Sequence, residues 1–233
     1  MRVQELDLRS VDHVLTTTRA VRQRLDLEQE VPLDVVRECL EIALQAPTGF
    51  NLQDWRWIVV TDPERKRRIG DLFRRAEHTF VDMMDAEIPE DDLAGKRIVS
   101  SCRHLAEHLH EVPVLVIPCT TSKVSDTYGL FEHLKFETDL WNMAASAVYG
   151  GIWPAAWNFM LALRSRGLGS SLTMIHLGHE PEIARILEMP DGASQAGLIP
   201  VAWFTGDDFQ RGPRRPVHEV TYYDQWGQTR PPF

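Results

Sequence analysis

The segment 150–170, GGIWPAAWNFMLALRSRGLGS, constrains the fold more than any other part of the chain. From Trp153 to Leu163 its only polar side chain is Asn158. A helix so nearly free of a polar face has to be covered on most sides, which requires further layers of structure around it. Asn158, as a buried amide, needs hydrogen-bond partners there. Arg164 and Arg166 fall in its last turn, where cations offset the helix dipole, and Gly167 stops it. The strand expected near Ser170 therefore starts from the middle of the core, and its backbone amides are candidates to face a ligand.

Around this helix the pattern alternates. Helices are expected over 31–47, where Val36, Cys39, Leu40 and Ala43 share one face, and at roughly 63–85, 93–110, 132–148, 152–166 and 180–188. Strands are expected in WRWIVVTD, PVLVIPCT, GSSLTMIHL and GLIPVAWFTG, short apolar runs bounded by Gly, Pro or Asp. No repeat, linker or low-complexity tract interrupts the series. The reading is one α+β domain over 1–233.

With 34 acidic against 25 basic residues, the chain carries a net charge of −9, which excludes a polyanion-binding surface and argues against nucleic acid as a partner. Three scattered cysteines give neither a disulfide framework nor a paired zinc site and suit a reducing cytoplasm. The N-terminal MRVQELDLRSVDHVL lacks the apolar core of a signal peptide, and no stretch approaches the roughly 18 apolar residues of a membrane span. Against the acidic background stand two arginine clusters in turn-rich segments: Arg19, Arg22 and Arg24, then Arg211, Arg214 and Arg215. Guanidinium forks of this kind match the oxygens of a small anion such as a phosphate. A third basic run, ERKRRIGDLFRR, has helical spacing and reads as a solvated helix face.

The segment 44–64, LQAPTGFNLQDWRWIVVTDPE, makes a sharp corner between a helix and a strand and puts Pro47, Thr48, Gly49, Asn51 and Gln53 on it. Loops held by rigid elements on both sides are where binding groups gather. Two other signals lead elsewhere. His104 and His108 have a spacing suited to one metal ion on a helix face, but no HExxH order or further cluster completes a site, so no metal is expected. RGLGSS contains G-x-G but follows a helix and precedes a strand, the reverse of a dinucleotide fingerprint.

Taken in order, RAVR, APTGFNLQDW, RGLGSSLT and PRRPVHEV resemble the motifs of the FMN-dependent nitroreductase family over roughly 16–60 and 145–222; the middle, including EHTFVDMMDAEIPEDDLAGK, shows no match. The resemblance implies an α+β, three-layer fold with a central mixed, mainly antiparallel sheet flanked by helices. It also implies an intertwined homodimer with noncovalent FMN at the interface. Family members usually carry R-R-S-V-R where this chain has Thr18, Arg19, Ala20, Val21 and Arg22, so Arg19 is implied for the phosphate and Arg22 for the flavin pyrimidine edge. Thr18 and Ala20 depart from an arginine and a serine. In the second motif Pro47, Asn51, Gln53 and Trp55 match, Thr48 keeps a hydroxyl, and Asp54 replaces a proline. This corner resembles the one that reaches the flavin of the partner subunit. Leu172, Thr173 and Met174 are implied beside the flavin ring with a backbone N–H near N5. Arg214, with Arg211 or Arg215, is implied at the phosphate.

The resemblance implies an oxidoreductase in which flavin N5 carries the chemistry and no side chain is a catalytic nucleophile. NAD(P)H would donate hydride, and an electron-poor acceptor, a nitroaromatic or quinone, would take it by a ping-pong mechanism. Arg22 beside N1/O2 would stabilise the reduced anion. Trp141, Tyr149 and Trp153 are candidates to line the acceptor cavity, though aromatic residues in such apolar stretches are more often core. Two other branches stay open: a flavin-consuming enzyme resembling the 5,6-dimethylbenzimidazole synthases, and a dehalogenase acting on halotyrosines. So does a non-catalytic flavin-binding protein.

Overall fold

A computed structural model describes residues 7–229. Positions 1–6 and 230–233 lie outside the described residues. The chain forms two compact units, one of Arg19–Asp207 and one that combines Met1–Thr18 with Asp208–Phe233.

The smaller unit contains α1 (Leu8–Thr17), capped by the Asp7 carboxylate, which accepts from Arg9 N–H at 3.1 Å. The larger unit runs through α2 (Leu33–Ala43), β1 (Trp55–Val60), α3 (Pro63–Glu87), α4 (Leu93–His108), β2 (Val114–Thr120), α5 (Val124–Glu132), α6 (Trp141–Ser165), β3 (Leu168–Ser170), α7 (Glu180–Ile186), β4 (Ser194–Gln195) and β5 (Ile199–Trp203). Its sheet has the order β1-β2-β5-β3, with β4 on the end of β2. Every strand pair is antiparallel; Ile58 faces Ile117, Val116 faces Ile199, and Ser170 faces Val201. The sheet is thus antiparallel throughout its strands, and one isolated parallel bridge joins Ala20 to Ser170.

β2 is buried at every position, as a central strand rich in Val, Leu and Ile should be. One core cluster joins Val36, Cys39 and Ala43 of α2 with Phe159 and Leu163 of α6 and with Val114, Val116, Ile199 and Val201 of the sheet. Burial pushes the Cys39 thiol up to about 11 and that of Cys119 up to about 12, so both stay protonated and inert.

Three expectations need correcting. The helices drawn at 132–148 and 152–166 are one continuous α6 that begins at Trp141 and runs through Gly150 and Gly151. Pro154 lies inside it and lacks the N–H that would reach the Gly150 carbonyl, a local loss that packing against α2 and the sheet overrides. α6 is also not buried all round: Pro154 and Trp157 form an exposed strip, Trp157 at 45%. The strand expected at 169–177 ends at Ser170; beyond it Thr173 makes only an isolated bridge to Leu198, and Ile175–His179 coils into a 3-10 helix. α5 had no expected counterpart, because none of its residues is fully buried and it leaves no apolar stripe to read.

Candidate active site

An apolar cavity of about 700 Å³ lies in the larger unit between the middle of α3 and the stretch after β3. Leu172, Thr173, Met174, Ile175, Gly178 and His179 form one wall, and Arg75, Ala76, Thr79, Phe80 and Met83 the other. α3 can supply that wall because Ala76, Thr79, Phe80 and Met83 recur at helical spacing, with Phe80 48% and Met83 57% exposed. Gly178 faces Ala76 across the walls, where a Cβ would stand in ordinary contact, 3.4 Å from the Ala76 Cβ.

Backbone pairing fixes the opposite wall. Thr173 N–H donates to the Leu198 carbonyl at 3.0 Å and the Thr173 carbonyl accepts from Leu198 N–H at 2.8 Å. Pairing alternates along an extended chain, so the N–H groups of Leu172 and Met174 point the other way, and among the described residues neither has an acceptor. An unpaired backbone donor beside an apolar cavity is a ready partner for a ring nitrogen or a carbonyl oxygen.

The first arginine motif is carried to the same wall. Val21 N–H donates to the Ser170 carbonyl at 2.8 Å, and Ala20 forms the bridge to Ser170. Gly169 makes this seat possible, because a Cβ there would meet Val21 Cγ1 at 3.0 Å and Leu25 Cδ2 at 3.1 Å. Arg19 and Arg22 are both half-buried, and Arg22 Nη1 donates a long 3.4 Å bond to Ser101 Oγ on α4. Thr18, at the end of the smaller unit, caps α1, its N–H reaching the Val14 carbonyl at 3.2 Å.

The corner is not brought into the cavity. Pro47 leads into Thr48, which precedes a 3-10 turn over Gly49–Asn51, and Thr48 Oγ1 accepts from Gln53 N–H at 3.1 Å while Gln53 Nε2 donates to Asn51 Oδ1 at 3.0 Å. Phe50, Asn51 and Gln53 all have left-handed backbone, at φ of 50°, 55° and 49°. The turn seats on α6 at Gly151, where a Cβ would stand 3.0 Å from Thr48 Cγ2. Phe50 at its tip is 101% exposed.

In the smaller unit Arg211 borders a polar cavity of about 550 Å³ with Arg9 and Thr16, where His13 Nε2 meets Asp208 Oδ2 at 2.9 Å. Arg214 and Arg215 are exposed, and Arg214 Nη1 donates to its neighbour's carbonyl, that of Pro213, at 2.8 Å.

Trp141, Tyr149 and Trp153 are not among the residues that line this cavity. Trp153 packs against the core and stacks on Tyr149 at 5.9 Å, whereas Trp141 turns to Tyr128 at 5.5 Å. The α3 wall had been missed. Arg75 belongs to the basic run read as a solvated face, and Thr79, Phe80 and Met83 to the segment without a family match; the signal available was the apolar spacing of Phe80 and Met83 on an otherwise charged helix. Elsewhere, His104 and His108 pack ring to ring at 4.6 Å and His108 Nδ1 meets Glu111 at 2.8 Å; no cluster of three potential metal ligands forms among the described residues. No described helix is long and apolar enough to cross a membrane.

The nitroreductase family model matches residues 15–203. An iodotyrosine deiodinase of Drosophila melanogaster is 28% identical over 174 residues, 73% of this chain and 54% of that protein. An NADH dehydrogenase of Thermus thermophilus is 31% identical over 179 residues, 74% of this chain and 77% of that one. The chain spans between about half and two thirds of the length of the animal iodotyrosine deiodinases it matches. A solved BluB-like flavoprotein of Clostridium difficile superposes with a TM-score of 0.68 at 18% identity, over 95% of this chain and 100% of that one. An iodotyrosine deiodinase bound to FMN and 3-iodo-L-tyrosine superposes with 0.66 at 20% identity, over 93% and 100%. At such identities the two superpositions speak to the fold.

Proposed function

Because the chain belongs to the nitroreductase family, we propose that it is an FMN-dependent oxidoreductase that passes hydride from NAD(P)H to an electron-poor aromatic or quinone. The observation that carries the reading is the pair of unpaired N–H groups at Leu172 and Met174 on the wall of a 700 Å³ apolar cavity, beside the backbone-anchored Arg19–Arg22 segment. The volume lies within the range of small-molecule and cofactor sites. FMN, when bound, supplies the hydride chemistry. The chain's part is to hold it: Leu172, Thr173 and Met174 against the ring, Arg22 at the pyrimidine edge, Arg19 at the phosphate, and the C-terminal arginines Arg211, Arg214 and Arg215 as further anion partners. Thr18 and Ala20 complete the first segment through their backbone. Neither the cavity nor the corner holds a side chain poised as a nucleophile, and hydride transfer needs none.

The second part of the proposal is a homodimer. The exposed Phe50, the exposed strip of α6 and Trp226, 88% exposed, are apolar surfaces that a second copy would cover. Pro47, Thr48, Gly49, Asn51 and Gln53 then approach the partner's flavin.

The protein as isolated is expected to be yellow, to release about one FMN per chain on heating, and to bleach on anaerobic addition of NADH or NADPH. A colourless protein that takes up no added FMN ends the reading. A dehalogenase reading is favoured by the run of iodotyrosine deiodinases among the relatives. Iodide release from 3-iodotyrosine by the reduced protein distinguishes it from nitroaromatic reduction.

A further inference from the structure

The walls of the apolar cavity carry two basic side chains, Arg75 and His179, and no carboxylate. That composition is unusual for this chain, in which acidic residues outnumber basic ones 34 to 25. The neighbouring arginines show the common pattern: Arg67 pairs with Glu64 and Asp71, Arg74 with Asp71, and Arg103 with Asp82 and Asp85. Arg75 differs. Among the described residues its side chain makes one hydrogen bond, a long one of 3.4 Å from Nε to the Asp71 carbonyl, and has no carboxylate partner. The His179 ring, half-buried, likewise has no side-chain partner among them. Guanidinium N–H donors are thus left beside a cavity whose walls are apolar at Phe80, Met83, Leu172 and Ile175.

A flat apolar body suits these walls, and an anionic group suits Arg75, whose fork of N–H donors matches two carboxylate oxygens. We propose that Arg75, assisted by His179, selects aromatic ligands that carry a carboxylate or a similar anion over their neutral counterparts; this rests on the proposed function, with FMN against the Leu172–Met174 wall and the acceptor on the α3 side of the cavity. Arg75 is a specificity residue, and it takes no part in holding FMN.

The test compares 4-nitrobenzoate with 4-nitrotoluene on the protein as isolated, by calorimetric titration and by kcat/KM with NAD(P)H. Wild type is expected to prefer the carboxylate. Arg75→Met is expected to cut that preference about tenfold, at the low end of what one charged hydrogen bond contributes, because the site is partly exposed. The loss should fall on Kd and KM more than on kcat, with Arg75→Lys recovering part of it. Arg68→Met removes the same charge from an exposed position on α3 outside the cavity and should leave the preference intact. An unchanged preference in Arg75→Met, an equal drop in Arg68→Met, or loss of FMN from Arg75→Met overturns the proposal. Wild type that binds the two compounds equally also overturns it. Absence of FMN and of all NAD(P)H turnover, with the carboxylate still bound selectively, would instead remove the oxidoreductase reading alone.

Discussion

Gly169 shows how a single missing side chain organises the candidate site. A valine there would drive into Val21, Leu25 and Phe204, and overpacking of this kind typically costs about 1–3 kcal/mol. Gly169→Val is therefore expected to lower the unfolding free energy measured by urea titration by that amount and to weaken FMN binding further, since the Arg19–Arg22 segment loses its seat. Two buried ionisable groups, by contrast, pull stability in opposite directions with pH. His176 is wholly buried with neither ring nitrogen hydrogen-bonded, and burial lowers its pKa from the ordinary 6.5 to about 3. Its contribution is complete above pH 6.5 and is lost as pH falls from there towards 3, so His176→Leu should flatten the acid side of a stability-versus-pH curve. Glu77 is 1% exposed with neither carboxylate oxygen paired, and burial raises its pKa. The fold then favours the protonated form, a preference lost as pH rises through the raised value. Glu77→Gln should stabilise the protein at pH 7 and make no difference at pH 4, measured by urea titration. At Arg22 the expectation concerns the flavin. Loss of a charged hydrogen bond worth about 1.5–3 kcal/mol would lower the two-electron midpoint by about 30–65 mV in Arg22→Met, and an unchanged potential at full FMN occupancy removes Arg22 from the site.

Among the elements, those legible in the sequence are the ones whose burial is one-sided or complete. β1, β2 and β5 were readable as short apolar runs between breakers, and α2, α3 and α4 from their periodicity. The misreadings have a common source, in that local signals gave way to packing. Tyr149-Gly150-Gly151 looks like a break, yet α6 passes through it because both of its neighbours in the core fix its path. Met174-Ile175 looks like strand, yet only Thr173 finds a ladder partner there. The left-handed run in the corner was invisible because Phe50 and Gln53 are not residues that advertise positive φ. That run stores strain of roughly 1–2 kcal/mol per residue at such positions. Phe50→Gly should relieve it and raise the thermal midpoint of the chain at low concentration, while weakening any association that uses the ring. Calorimetry and sedimentation on the same variant separate the two effects.

For the molecule as a whole, the motifs were legible and their assembly was not. The sequence shows four arginine- and amide-bearing segments; the structure anchors the first beside the third, leaves the second on an exposed turn, and places the fourth in a separate compact unit. With the second segment proposed to reach a partner's flavin, FMN affinity should depend on association in the proposed dimer. Dilution below the dimer dissociation constant should release FMN and lower the thermal midpoint together. Truncation after Val220, which removes the Tyr222–Trp226 ring pair, should do the same at a higher concentration.

The strand order also sets a timetable. β5 is the last strand to leave the ribosome and lies between β2 and β3, while β3 is the strand to which the Ala20 segment attaches. Until Trp203 has emerged, β3 lacks its strand neighbour, and the N-terminal arginines wait through most of synthesis for their docking strand to be held in the sheet. Pairings between such distant positions form slowly and late. The nascent chain should therefore remain unable to bind FMN up to that point and acquire the capacity within a few tens of residues, so that stalled chains of increasing length would show a step in flavin retention where others would show a slope. Before that step the exposed β2 edge is the segment most in need of a chaperone.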